Sequence, residues 1–168
     1  MALRGFNHSI HWSEFQIVEQ PPTGAVEEAE IVVQARNLTW RTSLQSGSSC
    51  QVVSVDVAIS VDRNRSWVLK GRKGIYLRHH QQGHYDIEAL GVREIYNRIL
   101  AFTADQCEDI NAEAVRIQQE VQQQIEKAQQ RYDSQTQHGS ERTIQQHWEA
   151  QIQSAKSRVD GTLADLPA

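Results

Sequence analysis

His80 and His84 stand four residues apart in the run Leu77-Arg78-His79-His80-Gln81-Gln82-Gly83-His84-Tyr85-Asp86-Ile87. On a helix that spacing puts both side chains on one face with Cβ atoms about 5–6 Å apart, close enough to share one metal ion. Two neutral imidazoles would give a zinc ion two bonds of roughly 2.0–2.1 Å, leaving one further protein ligand and one open position. A chain with seven histidines also acquires such a pair by chance, and the plain alternative is two partly exposed helix histidines that share nothing.

The spacing is that of the zincin motif His-Glu-x-x-His, in which the glutamate after the first histidine takes a proton from the attacking water. Here that general-base position holds Gln81. Glutamine has the size of glutamate and can hold a water by hydrogen bonding, but its amide accepts no proton at neutral pH. Losing such a base costs on the order of 10²–10⁴ in rate. Metal binding should survive, because residue 81 is not a ligand. Gln82 and Glu88 are poor replacements, since neither directly follows the first histidine. A natural pseudoenzyme and a deliberate Glu-to-Gln replacement both fit, and the isosteric change in an otherwise intact motif favours the second.

Further along stand Tyr132-Asp133-Ser134-Gln135-Thr136-Gln137-His138-Gly139, then Gln146 and Trp148; upstream are Trp12-Ser13-Glu14-Phe15 and Ser66-Trp67-Val68. Together these segments make the chain resemble, over nearly its whole length, a bacterial family of secreted zinc-dependent proteases catalogued as domain of unknown function 922. Its members read Trp-Ser-Asp-Phe, Ser-Trp-Val, His-Glu-Gln-Gly-His-Phe-Asp, Tyr-Asp, Thr-x-His-Gly and Gln-x-x-Trp. The resemblance implies a Zn²⁺ cofactor held by His80, His84 and His138, and a peptide or protein substrate.

Other residues near the motifs fit less directly. Asp86 lies about 200° around a continuing helix from His84, so it is expected to orient a histidine or bind solvent. Glu108 or Glu113 would be the third ligand in a glutamate-ligated site. The Tyr85 hydroxyl is a candidate donor to an oxyanion, whereas Tyr132 and Trp148 continue helical stripes and should pack. His79 faces away from the pair. His8, His11 and His147 lack partners at metal spacing and read as surface residues.

The elements that must position this site form an α+β chain. Val53, Val55, Val57, Ile59 and Val61 alternate with polar or small residues, which predicts a strand with one buried face. Ile31, Val33 and Ala35 repeat the pattern, Ile10 and Trp12 begin another strand, and Pro21-Pro22-Thr23-Gly24 makes a turn, giving a mainly antiparallel sheet. After Gly74 the period changes. Ile117, Val121, Ile125, Ala128 and Tyr132 recur at helical steps, as do Ile144, Trp148, Ile152, Ala155 and Val159, with residues 133–140 as a loop joining an antiparallel helix pair. We expect one domain over residues 1–168, mainly β to residue 72 and mainly α from 73, with the zincin-like helix between sheet and helix pair.

The formal charge of −4, with both signs interspersed, offers no basic footprint for nucleic acid and no polybasic membrane patch. No apolar run is long enough to span a bilayer, and residues 1–11 lack a signal-peptide core. As written the chain reads as soluble and cytoplasmic, or secreted or periplasmic if a leader has been removed. Cys50 and Cys107 could form one disulfide at most, and two reduced, buried thiols are the favoured reading. The rival to the peptidase reading is a binding or scaffolding module, in which helices 111–132 and 141–159 recognise a partner and any zinc is structural. Oligomeric state is open.

Overall fold

The computed structural model describes residues 2–45 and 49–168. Met1, the first residue scanned for a leader, lies outside them.

The expected strand is the centre of the larger sheet. Strand β5 (Cys50–Val61) pairs with β1 (Ala2–Arg4) on one side in parallel and with β4 (Val33–Leu44) on the other in antiparallel fashion. Val55, Val57, Ile59 and Val61 face the core as their alternation requires, but Val53 is 45 % exposed while Val52 and Cys50 are buried. Arg41 pairs with Ser54 and Thr42 with Val52, so Val53 is the extra residue of a β-bulge and the alternation changes face there. A compensating irregularity lies on β4 between Arg36 and Thr39, where Asn37 takes a left-handed φ of 56°.

A smaller sheet carries β2 (Gln16–Val18), β6 (Trp67–Leu69) and β3 (Ala29–Glu30) in the order β2-β6-β3, with β2–β6 parallel and β3–β6 antiparallel. Each sheet therefore contains one parallel pair. Trp12 begins no strand. Residues Trp12–Glu14 form a 3₁₀ turn, with the Glu14 carboxylate accepting the His11 backbone N–H. The proline-rich turn is present, closed by the Ala25 N–H on the Pro22 carbonyl.

Three helices cover the sheets: α1 (Ile75–Leu100), α2 (Cys107–Thr136) and α3 (Arg142–Ser157). Helix α1 packs against both others, which also meet each other through Tyr132 and Trp148. Contacts running from His80–Tyr132 to Arg98–Glu120 show α2 antiparallel to it, while those from Tyr76–Gln145 to Asp86–Lys156 show α3 parallel. Gly91 permits the close α1–α2 approach, since a Cβ there would collide with Ile125. The stripe on α2 is buried as expected. On α3, Trp148, Ile152 and Ala155 are buried, but Ile144 is 40 % exposed and Val159, beyond the helix end, is 89 % exposed. Arg93 closes that end by donating to the Ala155, Lys156 and Gly161 carbonyls.

Two further expectations are corrected. Residues 133–136 are helical, not loop; α2 continues one more turn to Thr136 and stops at Gln137 in the left-handed region. Cys50 and Cys107 are not reduced thiols but a disulfide, with Cα atoms 5.2 Å apart. A short strand β7 (Thr103–Ala104), just before α2, pairs with Cys50 and Gln51 and brings Cys107 onto the start of β5. Among the described residues no helix is long and apolar enough to cross a membrane.

Candidate metal centre

Helix α1 presents His80 and His84 on the face that meets the C-terminal end of α2. Their Nε2 atoms lie 3.1 Å apart, and Asp133 Oδ1 lies 3.1 Å from the first and 2.9 Å from the second. His80, His84 and Asp133 thus form a group that could hold a metal ion. Asp133 reaches this place because α2 continues past Tyr132; in a loop starting at 133 its direction would be unspecified.

The histidines are fixed by their surroundings. Gln129 Nε2 donates to the His84 carbonyl, which orients the amide so that Gln129 Oε1 accepts from His84 Nδ1 at 2.6 Å. That tautomer leaves the His84 Nε2 lone pair facing Asp133, as a ligating histidine requires. His80 is 1 % exposed. The Tyr132 ring stacks on it at 4.7 Å between centroids, and the Tyr132 hydroxyl donates to the His80 carbonyl. Burial, which favours the neutral ring, holds the His80 pKa below the ordinary histidine value, against the opposing effect of the hydrogen bond that His80 Nε2 donates to Asp133. Burial alone would raise the Asp133 pKa, but the hydrogen bond that the carboxylate accepts from His80 opposes this most strongly, and the carboxyl is held below its ordinary range.

Two glycines of the motifs make room for these contacts. A Cβ on Gly83 would collide with the Tyr132 hydroxyl. A Cβ on Gly139 would sit 2.9 Å from His80 Cγ, and the chain enters that position through Gln137 and His138, both with positive φ.

The other candidates are dispersed. His138 stands at the rim, 40 % exposed, with Nδ1 3.2 Å from Glu27 Oε1 and 3.5 Å from Asp133 Oδ1. It is near the three-residue group without belonging to it. Asp86 forms a buried pair with Lys156 and accepts from Gln82, touching neither histidine. The Tyr85 hydroxyl donates to the Gly5 carbonyl and is buried against β5, away from the cleft. Glu113 pairs with Arg116 near the other end of α2, some twenty residues and about 30 Å along the helix from Asp133; Glu108 is exposed a turn further still. His79 faces Glu149, His8 pairs with Glu14, and His11 and His147 are exposed.

Gln81 is 2 % exposed. Its Nε2 donates to the Ala29 carbonyl on β3, while its Oε1 has no partner. The side chain forms part of a cleft of about 430 Å³ beside the metal group, with Glu27, Ala29, Glu30, Ile31, His84, Asp133 and the 22–25 turn as the other walls. The sequence does not single out Asp133, Gln129 or Glu27 as candidate site residues. Asp133 had a signal, since it stands inside the Tyr-Asp element, but Gln129 is one of many glutamines on α2.

Residues 14–139, which include every member of this group, match the model of a family described as bacterial protein of unknown function, DUF922. No curated protein and no solved structure matches the chain. Because the match takes in the motif helix, Asp133 and well over half of the sequence, the chain belongs to the DUF922 family.

Proposed function

We propose that this chain is a zinc-dependent metallopeptidase-like protein that acts on peptide bonds, with hydrolysis strongly impaired because Gln81 stands at the general-base position. The observation that carries the reading is the convergence of His80 Nε2, His84 Nε2 and Asp133 Oδ1 within 3.1 Å of one another. Without a cation, a carboxylate oxygen and an imidazole lone pair face each other at 2.9 Å, and at most the His80 N–H can relieve the repulsion. Ligands around a tetrahedral zinc with bonds of ~2.0 Å lie about 3.3 Å apart, so the group needs only a slight expansion to accept the ion.

When bound, zinc would polarise a scissile carbonyl and acidify a water. Gln129 keeps the His84 lone pair directed inward, and Asp133 supplies the negative ligand. His138, at the rim beside Asp133, is the candidate for a further ligand, in line with the family resemblance. The unpaired Gln81 Oε1 can accept a hydrogen bond beside the reacting position but cannot take the proton. The Cys50–Cys107 disulfide supports an oxidising compartment, secreted or periplasmic.

Elemental analysis should find about one zinc per chain, lost in His80→Ala and Asp133→Ala. Restoring Gln81→Glu should raise cleavage of an unfolded protein such as casein by on the order of 10²–10⁴. A metal-free protein of ordinary stability would sink the metal reading. Gln81 also favours a second reading, a non-catalytic binding module with structural zinc, which is supported instead if the Gln81→Glu protein binds zinc and cleaves nothing.

A further inference from the structure

The cleft beside the metal group is walled by hydrogen-bond acceptors. Glu27, Glu30 and Asp133 contribute three carboxylates, and no lysine or arginine is among the lining residues. Gln81 adds a fourth acceptor. Its amide is oriented by the Ala29 carbonyl, which leaves a buried Oε1 without a donor. A buried acceptor left unpaired is costly, and no described protein group donates to this one. Glu30 is engaged only through Oε2, by the Trp67 indole N–H at 3.0 Å, and meets no cation among the described residues. A bound dication would leave the three carboxylates one negative charge in excess.

We propose that this cleft receives a cationic nitrogen of the peptide, either a lysine or arginine side chain or a free α-amino group, with Glu30 and Glu27 as the acceptors that set specificity. The proposal rests on the peptidase reading for the identity of the ligand, but the acceptors themselves lie on β3 and the segment before it and are not metal ligands. The Pro22–Ala25 turn adds only backbone and small side chains to the lining, so discrimination falls to the two glutamates. Glu27 is already turned toward the site, with Oε1 on the rim residue His138.

The test is calorimetric titration of the zinc-loaded protein, as it stands with Gln81, with four peptides of equal length. Two are acetyl-capped and carry one lysine or one arginine, one is uncapped and free of basic side chains, and one is capped and neutral. A cationic peptide should bind about tenfold more tightly than the capped neutral one, the size of a charge-assisted hydrogen bond. Preference for the capped lysine and arginine peptides assigns a side-chain subsite, and preference for the uncapped peptide assigns an amino-terminal one. Glu30→Gln should remove most of the contrast and Glu27→Gln part of it. Repeating the titration on metal-stripped protein separates this proposal from the zinc reading, because the contrast should persist without the ion. Equal affinities, no measurable binding of any peptide, or a contrast that survives both glutamate substitutions overturns it.

Discussion

Gln129 holds His84 through both ends of its amide, accepting from the ring Nδ1 at 2.6 Å and donating to the backbone carbonyl at 2.9 Å. The second bond matters because it removes the freedom of the amide to flip, and so the freedom of His84 to adopt the other tautomer. Gln129→Leu should lower zinc affinity by roughly 10–100-fold, the usual effect of losing the partner of a ligating histidine. The metal-free protein should lose only about 1 kcal/mol, since the bonds are partly solvated. Competition with a chromogenic chelator reads the first and urea unfolding the second; equal losses in both would make Gln129 a purely structural residue.

Gly83 is the position at which the motif helix admits Tyr132. In Gly83→Ala the new methyl must displace the Tyr132 hydroxyl, and with it the ring stacked on His80. Overpacking of this kind costs about 1–3 kcal/mol. Zinc affinity should fall together with the urea midpoint, in contrast to Gln129→Leu. An unchanged midpoint would show that Tyr132 can move aside freely.

Glu88, one turn beyond His84, is mostly buried in a groove between α1, α2 and the larger sheet. Burial first, and the nearby Glu126 second, raise its pKa from 4.5 to about 7. Below pH 4.5 the carboxyl is protonated in both folded and unfolded chains. Between 4.5 and 7 only the unfolded chain ionises, so stability falls as pH rises, and above 7 the whole penalty is present. Glu88→Gln should therefore stabilise the protein at pH 8 by on the order of 2 kcal/mol and leave it unchanged at pH 4. Thermal unfolding at the two pH values measures this; a pH-independent effect would contradict the assignment.

The disulfide closes 57 residues. Restricting a loop of that length in the unfolded chain stabilises the native state by roughly 4 kcal/mol in the chain-entropy model, with measured values commonly 2–4. The double variant Cys50→Ser, Cys107→Ser should unfold at correspondingly lower urea, and a reducing agent should shift the parent toward it while leaving the variant unaffected.

What could be read from the chain follows from what each segment faces. Helix α2 has one buried side, and Ile117, Val121, Ile125, Ala128 and Tyr132 marked it without ambiguity. Helix α1 gave almost no periodic signal because it is enclosed by sheet and helices, with His80, Gln81, Asp86 and Arg93 buried alongside apolar residues. Only its histidine spacing marks it in the sequence. The polar residues after Asp133 predict a loop; its helical state goes with tertiary contacts to the motif helix, which no local pattern records. The β5 alternation predicted the right face for Val55 to Val61 and the wrong one for Val53, because a bulge is a property of the strand pair. The disulfide stayed hidden for a similar reason, since the pairing of β7 with β5 is what brings the two sulfurs together.

The enclosure of α1 bears on how this sequence can drift. Thirteen of its 26 residues are buried, against eight of 30 on α2. Most random replacements in α1 strike a packed neighbour, a candidate metal ligand or a buried ion pair, whereas the glutamines on the outer side of α2 can exchange with other polar residues at little cost. Related chains should therefore diverge fastest along the outer face of α2 and slowest along α1, including stretches such as Gly91 and Arg93 that lie far from any chemistry.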